Sequence, residues 1–392
     1  MIAVADRQTK NTKKESHERA IFRLFSLGVV TARDDWVYGF DGQSVEAKVK
    51  AFTKVYNAEM HRWSALPKKE RRAEELDASI KWTRAVKKDL QRGLEYKFDP
   101  QYLTEAVYRP FVKSQLYFDR HLNEMQYQLG SMFRGEPNPT IAFLSVFSPN
   151  PLAAMAVAQP FDYCLLKMGN GGTQSLPRWR YDEKGDKQDN ITDWSLGQFR
   201  AHYEKGKKPK RSITKDAIFH YVYGVLHDPV YREKYGVNLK REFPRIPFYA
   251  NFWKWADWGE ALMQLHIGYE TVEPWPLERI DTKDDKSRKA GLAPKAMLKA
   301  NKETGNIQLD SETQLTGVPP EAWTYKLGNR SALEWILDQY KEKKPKDPTI
   351  REKFNTYGFA DYKEHVIDLL KRVTRVSVET MAIVEAMRKE PR

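Results

Sequence analysis

Cysteine is almost absent from this chain of 392 residues, and so are long apolar runs. The single cysteine, Cys164, excludes a disulfide within the chain, which is typical of proteins in a reducing compartment. No apolar run approaches the ~20 residues that span a bilayer, and the first residues lack the apolar core of a signal peptide. We therefore expect a soluble, cytoplasmic protein in which Cys164 is a buried structural thiol rather than a nucleophile.

Motifs of several nucleotide- and metal-dependent enzymes are missing as well. The chain has no G-x-x-x-x-G-K-[ST] loop for ATP phosphates and no glycine-rich S-adenosylmethionine loop after an N-terminal strand. The segment Ser148-Pro149-Asn150-Pro151-Leu152 is nearest to the catalytic loop of amino-adenine methyltransferases, but it lacks the paired prolines and the aromatic ring. The 8 histidines are scattered and have no cysteine partner, so no zinc site is predicted. We expect no catalytic residue, no metal site and no cofactor in this chain.

Positive charge is the most informative feature that the chain does have. The formal net charge is +13, and 12% of the residues are aromatic. A basic surface favours a polyanionic partner, most commonly nucleic acid, and exposed aromatic rings can stack on unpaired bases. The alternative is a basic surface that only aids solubility.

Periodicity predicts an α+β protein with helical N- and C-terminal parts flanking a strand-containing middle. Apolar residues recur at helical spacing in residues 43–96 and 362–387. Short apolar runs at 116–119, 140–147 and 161–168 are bounded by Pro, Gly or Asn and predict strands. We place boundaries near residues 96 and 318, which divides the chain into 1–96, 97–318 and 319–392.

The stretch from Thr214 to Phe248 carries the clearest local signals. Thr214 is a candidate cap for one helix, Asp228-Pro229 ends it and starts a second, and Gly236 ends the second. Further along, Asn251 to Gly268 predicts a third helix, and Ser331 with Glu334 predicts a capping box. Residues 281–305 are interpreted as a mobile loop and 306–318 as a hairpin.

The sequence of this stretch, with HDPVYREKY followed by FPRIP, resembles that of the C-terminal specificity region of Type ISP restriction-modification enzymes. Residues 32–38 (ARDDWVY), 108–111 (YRPF) and 325–335 (YKLGNRSALEW) carry the same resemblance. Members of this family are single-chain bacterial antiphage enzymes with nuclease, ATP-driven translocase, adenine methyltransferase and target-recognition parts. The resemblance implies that residues 1–96 are a helical linker or coupling segment following a methyltransferase. Residues 97–318 would form a mixed α/β DNA target-recognition domain, and residues 319–392 its helical C-terminal part.

The function that the resemblance implies is sequence-specific recognition of double-stranded DNA. The chain would position an adenine methyltransferase, which flips its target base out of the stack, and a linked nuclease-translocase. S-adenosylmethionine, ATP and Mg would belong to those parts, in the same polypeptide or a separate chain, and this chain would catalyse nothing alone. Two alternatives remain open: a standalone nucleic-acid-binding regulator, and a nuclease that uses Asp41 and Glu46.

Candidate base contacts lie in and after the glycine-rich loop that begins at Gly169. Amide side chains suit adenine and guanidinium groups suit guanine, and glycines allow close backbone approach. The candidate residues are Asn170, Thr173, Gln174, Arg178 and Arg180. The alternative is a structural loop in which the two arginines pair with Asp182 and Glu183.

Candidate phosphate contacts lie in a basic loop and in a turn before a helix. The loop residues are Lys205, Lys207, Lys208, Lys210 and Arg211, whose charge suits phosphate oxygens rather than bases. Asn329 and Arg330 precede a helix, whose N-terminal N–H groups favour phosphate. The alternatives are a solvated basic loop and a turn that Gly328 and Asn329 only shape.

Overall fold

The computed structural model describes residues 1–5, 19–72, 75–144, 148, 150–166, 172–206, 208–283 and 285–392. The fold is α+β, as the periodicity predicted. The N-terminal elements are β1 (Ile2–Ala3), β2 (Ser26–Leu27), α1 (Asp34–Val37), β3 (Tyr38–Gly39), α2 (Gly42–Ala65) and α3 (Arg84–Arg92). The C-terminal elements are α10 (Pro320–Thr324), β16 (Lys326–Leu327), β17 (Arg330–Ser331), α11 (Ala332–Gln339), α12 (Pro348–Lys353) and α13 (Phe359–Lys389).

Strands and helices alternate between these two parts. The strands are β4 (Leu103–Arg109), β5 (Val112–Tyr117), β6 (Thr140–Leu144), β7 (Ala153–Val157), β8 (Gln174–Pro177), β9 (Trp179–Tyr181), β10 (Lys187–Asp189), β11 (Arg245–Ile246), β12 (Glu278–Asp281), β13 (Ala296–Asn301), β14 (Asn306–Asp310) and β15 (Thr313–Thr316). The helices are α4 (Asp193–Tyr203), α5 (Lys215–His227), α6 (Pro229–Lys234), α7 (Gly236–Leu239), α8 (Phe252–Ile267) and α9 (Asp285–Lys289).

A four-stranded sheet in the order β2-β8-β6-β7 separates two hydrophobic cores. Successive side chains of a strand point to opposite faces, and both faces of β6 and β7 are buried. Ala142, Leu144 and Met155 contribute to the first core, whereas Ile141 and Phe143 contribute to the second. Burial on both faces explains why these strands are almost continuously apolar in sequence.

The first core joins distant parts of the chain. It contains buried side chains of α2, of the sheet β3-β5-β4 and of α10, α11 and α13. Its members come from all three segments into which the sequence was divided, and the boundaries near residues 96 and 318 remain predictions. One link between the two ends of the chain is the hydrogen bond from Trp36 Nε1 to Asp347 Oδ2, at 2.7 Å.

The second core is built on α5, and its local signals are confirmed. Thr214 accepts a hydrogen bond from the amide of Ala217, and Asp228 caps α6 by accepting one from Val230. The helix α8 packs on α5 at two glycines. A Cβ on Gly224 would lie 2.4 Å from the carbonyl oxygen of Trp255, so these backbones meet where larger residues do not fit.

Three predictions for the middle of the chain are wrong. Gly236 begins α7 instead of only ending the preceding helix. Residues 281–305, interpreted as a mobile loop, contain α9 and β13, and β13 pairs with β14. Residues 161–166 form a turn with two isolated bridges rather than a strand, because Phe161 and Asp162 each meet a different neighbouring segment. The hairpin within 306–318 is confirmed as β14 and β15.

In the described part of the chain, no helix is both long enough and apolar enough to cross a membrane. Cys164 forms no disulfide and is half-buried, so it is less enclosed than the sequence led us to expect.

Candidate nucleic-acid interface

The predicted contact residues lie at the two ends of strand β8. We define the hairpin end as Arg178, the β9–β10 hairpin, the basic loop 204–213 and the first turn of α5. We define the loop end as Gly172, Thr173, Gln174 and the turn 327–330. The sequence analysis predicted one contact segment over residues 169–181. In the structure, strand β8 separates Gly172 from Arg178 and Arg180.

Arg178 is a buried bridge at the hairpin end. Only 4% of its surface is exposed, and its guanidinium contacts Asp216 at 2.6 Å and Asp189 at 2.7 Å. It also lies 3.7 Å from the ring centroid of Trp179. These contacts tie the hairpin to the first turn of α5, and they favour a structural role for Arg178 over base contact. Its partners are not Asp182 and Glu183, the acids that the sequence suggested.

The carboxylate of Asp189 stays ionised because of these cations. Burial alone would raise the pKa of Asp189, but hydrogen bonds from Arg178 and Lys215 outweigh burial and lower that pKa below its ordinary value. The Lys215 bond measures 3.1 Å. The hairpin end therefore neutralises much of its charge internally.

Arg180 is more accessible than Arg178 but also engaged. It is half-buried, and its guanidinium donates to the side-chain oxygen of Gln188 at 2.6 Å. Arg180 and Gln188 are cross-strand partners in the hairpin. Arg180 Nε also donates to the carbonyl oxygen of Asp189 at 3.3 Å, and the base contact of Arg180 remains a prediction.

The basic loop presents exposed cations. Lys205, Lys208 and Lys210 are exposed, and no carboxylate of the described residues pairs with them; Lys207 lies outside the described residues. Arg211 differs because it pairs with Asp257 at 2.6 Å and stacks 3.8 Å from the centroid of Trp253. The three lysines remain candidates for sequence-independent phosphate contact.

At the loop end, the described residues close the base of the glycine-rich loop. Thr173 is fully buried; its amide donates to the carbonyl oxygen of Tyr163 at 2.8 Å, and its hydroxyl accepts the amide of Leu166 at 3.1 Å. The buried side chain of Thr173 thus connects to residues 163–166, which precede the loop, instead of facing outward. Gln174 is half-buried, and Asn170 lies outside the described residues.

The turn 327–330 docks onto the base of this loop. Gly328 has φ of 72°, and a Cβ there would lie 2.5 Å from the carbonyl oxygen of Leu166. Only glycine combines this backbone conformation with such a close approach. The structure therefore brings together two stretches that the sequence suggested separately.

Neighbouring residues fix the orientation of the turn. Trp335 Nε1 donates to the carbonyl oxygen of Leu327 at 2.8 Å, and Ser331 with Glu334 forms the predicted capping box. Asn329 at the tip is exposed. Arg330 is half-buried and pairs with Asp338 at 2.8 Å, so Asn329 is the more available of the two.

A buried polar network beneath the turn was not anticipated. His266 on α8 contacts the hydroxyl of Tyr325 at 3.1 Å and that of Thr380 at 2.9 Å, and its other ring nitrogen contacts the hydroxyl of Tyr223. Burial lowers the pKa of His266 to about 3, so the ring is neutral at ordinary pH. Lone histidines in helices carry no sequence signal for such a network, because the partners come from distant elements.

The alternative nuclease residues belong to a helix start. Asp41 caps α2 by accepting a hydrogen bond from the amide of Ser44 at 2.6 Å, and half-buried Glu46 pairs with Lys50 at 2.5 Å. Among the described residues, no group of three His, Cys, Asp or Glu side chains is placed to hold a metal ion.

Comparisons with known proteins agree over nearly the whole chain. The family model described as the Type ISP C-terminal specificity domain matches residues 20–369. The cryo-EM structure of the DrdV–DNA complex is 47% identical with a TM-score of 0.92, and the match covers 100% of this chain and 38% of that chain. A comparison with curated proteins gives no match.

Two further solved structures share the fold. A nuclease-deletion mutant of the Type ISP restriction-modification enzyme LlaGI, in complex with a DNA substrate mimic, is 27% identical with a TM-score of 0.79. That match covers 99% of this chain and 35% of the LlaGI chain. The ATP-dependent Type ISP restriction-modification enzyme LlaBIII bound to DNA is 22% identical with a TM-score of 0.80, covering 100% of this chain and 24% of that one. This chain therefore spans well under half of each of these proteins.

Proposed function

Because this chain belongs to the family of Type ISP C-terminal specificity domains, we propose that it recognises a short, asymmetric sequence in double-stranded DNA. The observation that carries the proposal is the match of the whole chain, at 47% identity, to part of the protein in the DrdV–DNA complex. The formal charge of +13 supports it, since affinity for duplex DNA depends strongly on positive charge near phosphates.

Sequence discrimination is assigned to the loop end. The turn 327–330 and the base of the glycine-rich loop are held together by packing at Gly328 and by the hydrogen bond from Trp335. A rigid support suits base readout, because hydrogen bonds to base edges require fixed donors and acceptors. Gln174 and Asn329 supply amide groups there, and Asn170 belongs to the same loop.

Catalysis is assigned to other parts of the restriction-modification enzyme. An adenine methyltransferase, an ATP-driven translocase and a nuclease would be carried in the same polypeptide or in a separate chain. S-adenosylmethionine, ATP and Mg would bind there, and this chain would set only where they act. The family match and the share of the relatives that the chain spans, 38% for DrdV, are consistent with this division.

Selection from a randomised duplex library tests the proposal. The purified chain should enrich one asymmetric motif, and its affinity for that motif should exceed its affinity for unrelated duplex by about 10³-fold or more at physiological salt. Competition at several salt concentrations separates the affinity due to phosphate contacts from the affinity due to base contacts, because phosphate contacts produce most of the salt dependence. Equal affinity for every duplex would contradict sequence recognition and favour a non-specific nucleic-acid-binding protein.

A further inference from the structure

A cleft lined by arginines opens where β1 meets the segment that follows α7. Its volume is about 350 Å³, and Arg19, Arg241, Arg245 and Glu242 line it. All four side chains are exposed. Glu242 pairs with Arg245 at 3.2 Å, and no carboxylate of the described residues pairs with Arg19 or Arg241. Three guanidinium groups against one carboxylate leave the cleft with an excess of positive charge.

The backbone around the cleft is fixed by hydrogen bonds. Arg245 pairs with Ala3 in the β1–β11 ladder, and its carbonyl oxygen accepts a bond from the hydroxyl of Tyr231 at 3.0 Å. The amide of Arg241 donates to Asn238 at 2.9 Å, where the chain leaves α7. The backbone from which Arg241 and Arg245 project is therefore fixed, which lowers the backbone entropy lost when a ligand binds there.

Aromatic side chains connect the cleft with the start of strand β8. The lining of the cleft includes Phe243, whose ring contacts Phe25 with centroids 5.1 Å apart and Phe143 with centroids 5.9 Å apart. Phe143 is the direct partner of Gln174 in the β6–β8 ladder. Phe243 and Phe143 thus link the cleft, on the side of the second core, to the strand position that pairs with Gln174, while Leu327 in the turn belongs to the first core.

We propose that the cleft of Arg19, Arg241 and Arg245 binds backbone phosphate of the DNA duplex whose bases the loop end reads. This inference rests on the proposed function and adds a contact that the sequence did not suggest. Guanidinium groups bind phosphate oxygens in a bidentate manner, and phosphate contacts set the register of a protein on the duplex. Phosphate binding would give a function to the arginines of residues 241–245, a stretch that otherwise only connects two helices.

Removing Arg19 and Arg241, which pair with no carboxylate of the described residues, tests the cleft. In the double variant Arg19→Ala/Arg241→Ala, the slope of log affinity against log salt for a mixed-sequence duplex should fall by about 1 to 2, since each phosphate contact contributes ~0.9. The enriched motif should not change. Arg72→Ala/Arg388→Ala removes the same charge from exposed arginines that pair with Glu75 and Glu385, and it should leave the slope close to that of the wild type.

A second variant gives the opposite sign. Glu242→Gln removes the carboxylate that competes for Arg245, so it should tighten binding to the same mixed-sequence duplex; a folding defect would not do this. If the wild type binds with a steep salt slope while the double variant matches its control, the cleft proposal is overturned and DNA recognition stands. A wild-type chain with no salt-dependent duplex binding would overturn the proposed function itself.

Discussion

The two ends of strand β8 place their candidate contact residues in different surroundings. At the hairpin end, Arg178 is buried between Asp189 and Asp216, so its charge holds the hairpin against α5. At the loop end, glycines allow backbones to touch, and the amide of Asn329 is exposed. Residue type alone therefore does not identify a base contact, because a carboxylate within reach can convert an arginine into a structural bridge.

This comparison changes which residues are the best candidates for discrimination. Arg178 and Thr173 are buried and engaged by other parts of the protein, whereas Gln174 is half-buried and Asn329 is exposed. The exposed lysines of the basic loop lie at the hairpin end, and the arginine cleft lies on the second-core side of the sheet, linked through Phe243 and Phe143 to the strand position that pairs with Gln174. A duplex that contacts both the lysines and the cleft would meet positive charge at two separate places.

Gly328→Ala should have the largest effect, because it breaks the packing at the loop end. The added Cβ would lie 2.5 Å from Leu166 oxygen at a φ of 72°, and we expect a loss of about 3 kcal/mol in the free energy of unfolding. Gly185→Ala is the matched control at the hairpin end. Its φ is 91° with no atom within 4 Å, so only the conformational cost of about 1 kcal/mol applies.

Denaturant unfolding and library selection measure these two glycine variants. The Gly328 variant should also lose motif preference while keeping salt-dependent affinity, whereas the Gly185 variant should keep both. Equal losses of stability in the two variants would mean that the contact with Leu166 does not fix the turn.

Arg178→Ala tests whether the hairpin end is structural. Losing a buried guanidinium with two ion pairs should cost about 2 kcal/mol; its carboxylate partners are partly solvated, which reduces the usual penalty. Arg180→Ala should instead relax discrimination at one base pair by about 1–3 kcal/mol with little change in stability. Relaxed discrimination in the Arg178 variant at unchanged stability would support the base contact that the sequence suggested for it.

The buried network under the turn predicts a pH dependence of stability. Burial, with a further contribution from Arg232, lowers the pKa of His266 to about 3 from the ordinary 6.5. Below pH 6.5 the unfolded chain takes up a proton that the folded chain excludes, so stability is complete above that pH and falls as the pH drops toward 3. At pH 5 the loss should be about 2 kcal/mol.

Unfolding measured between pH 5 and 8 checks this expectation in His266→Gln. The variant should show a flatter dependence than the wild type, although buried His227, whose pKa is also lowered by burial, retains a contribution of the same sign. Exposed His61→Gln is the control and should keep the wild-type dependence. If the pH dependence of stability in His266→Gln equals that of the wild type, His266 does not contribute to it.

Neutralising Lys207, Lys208 and Lys210 should have the smallest effect on the free energy of unfolding. Exposed cations contribute little to stability, so the change should be below about 0.5 kcal/mol. The salt slope of duplex binding should fall by about 1 to 3 without a change in the enriched motif. An unchanged slope would exclude the basic loop and leave the arginine cleft as the source of phosphate contacts.

Local rules made much of the fold predictable. Caps depend on residues within four positions, so Thr214, Asp228 and Ser331 were identified correctly. Residues 161–166 were misassigned because their structure depends on bridges to the distant residues Val29 and Val107. Residues 281–305 were misassigned because polar residues, Gly and Asn interrupt their short apolar runs, which hid the local hairpin of β13 with β14. The arginine cleft gave no local signal, since Arg19 is remote in sequence from Arg241 and Arg245.

The amino-acid sequence by itself determined the α+β class, the basic character and the family resemblance, because these depend on periodicity, composition and short motifs. Only the tertiary structure decided that Arg178 binds Asp216, that Gly328 meets Leu166 and that three arginines share one cleft. Those facts follow from packing between elements far apart in the chain. No local sequence pattern shows which arginine will form an ion pair within the protein and which will stay exposed.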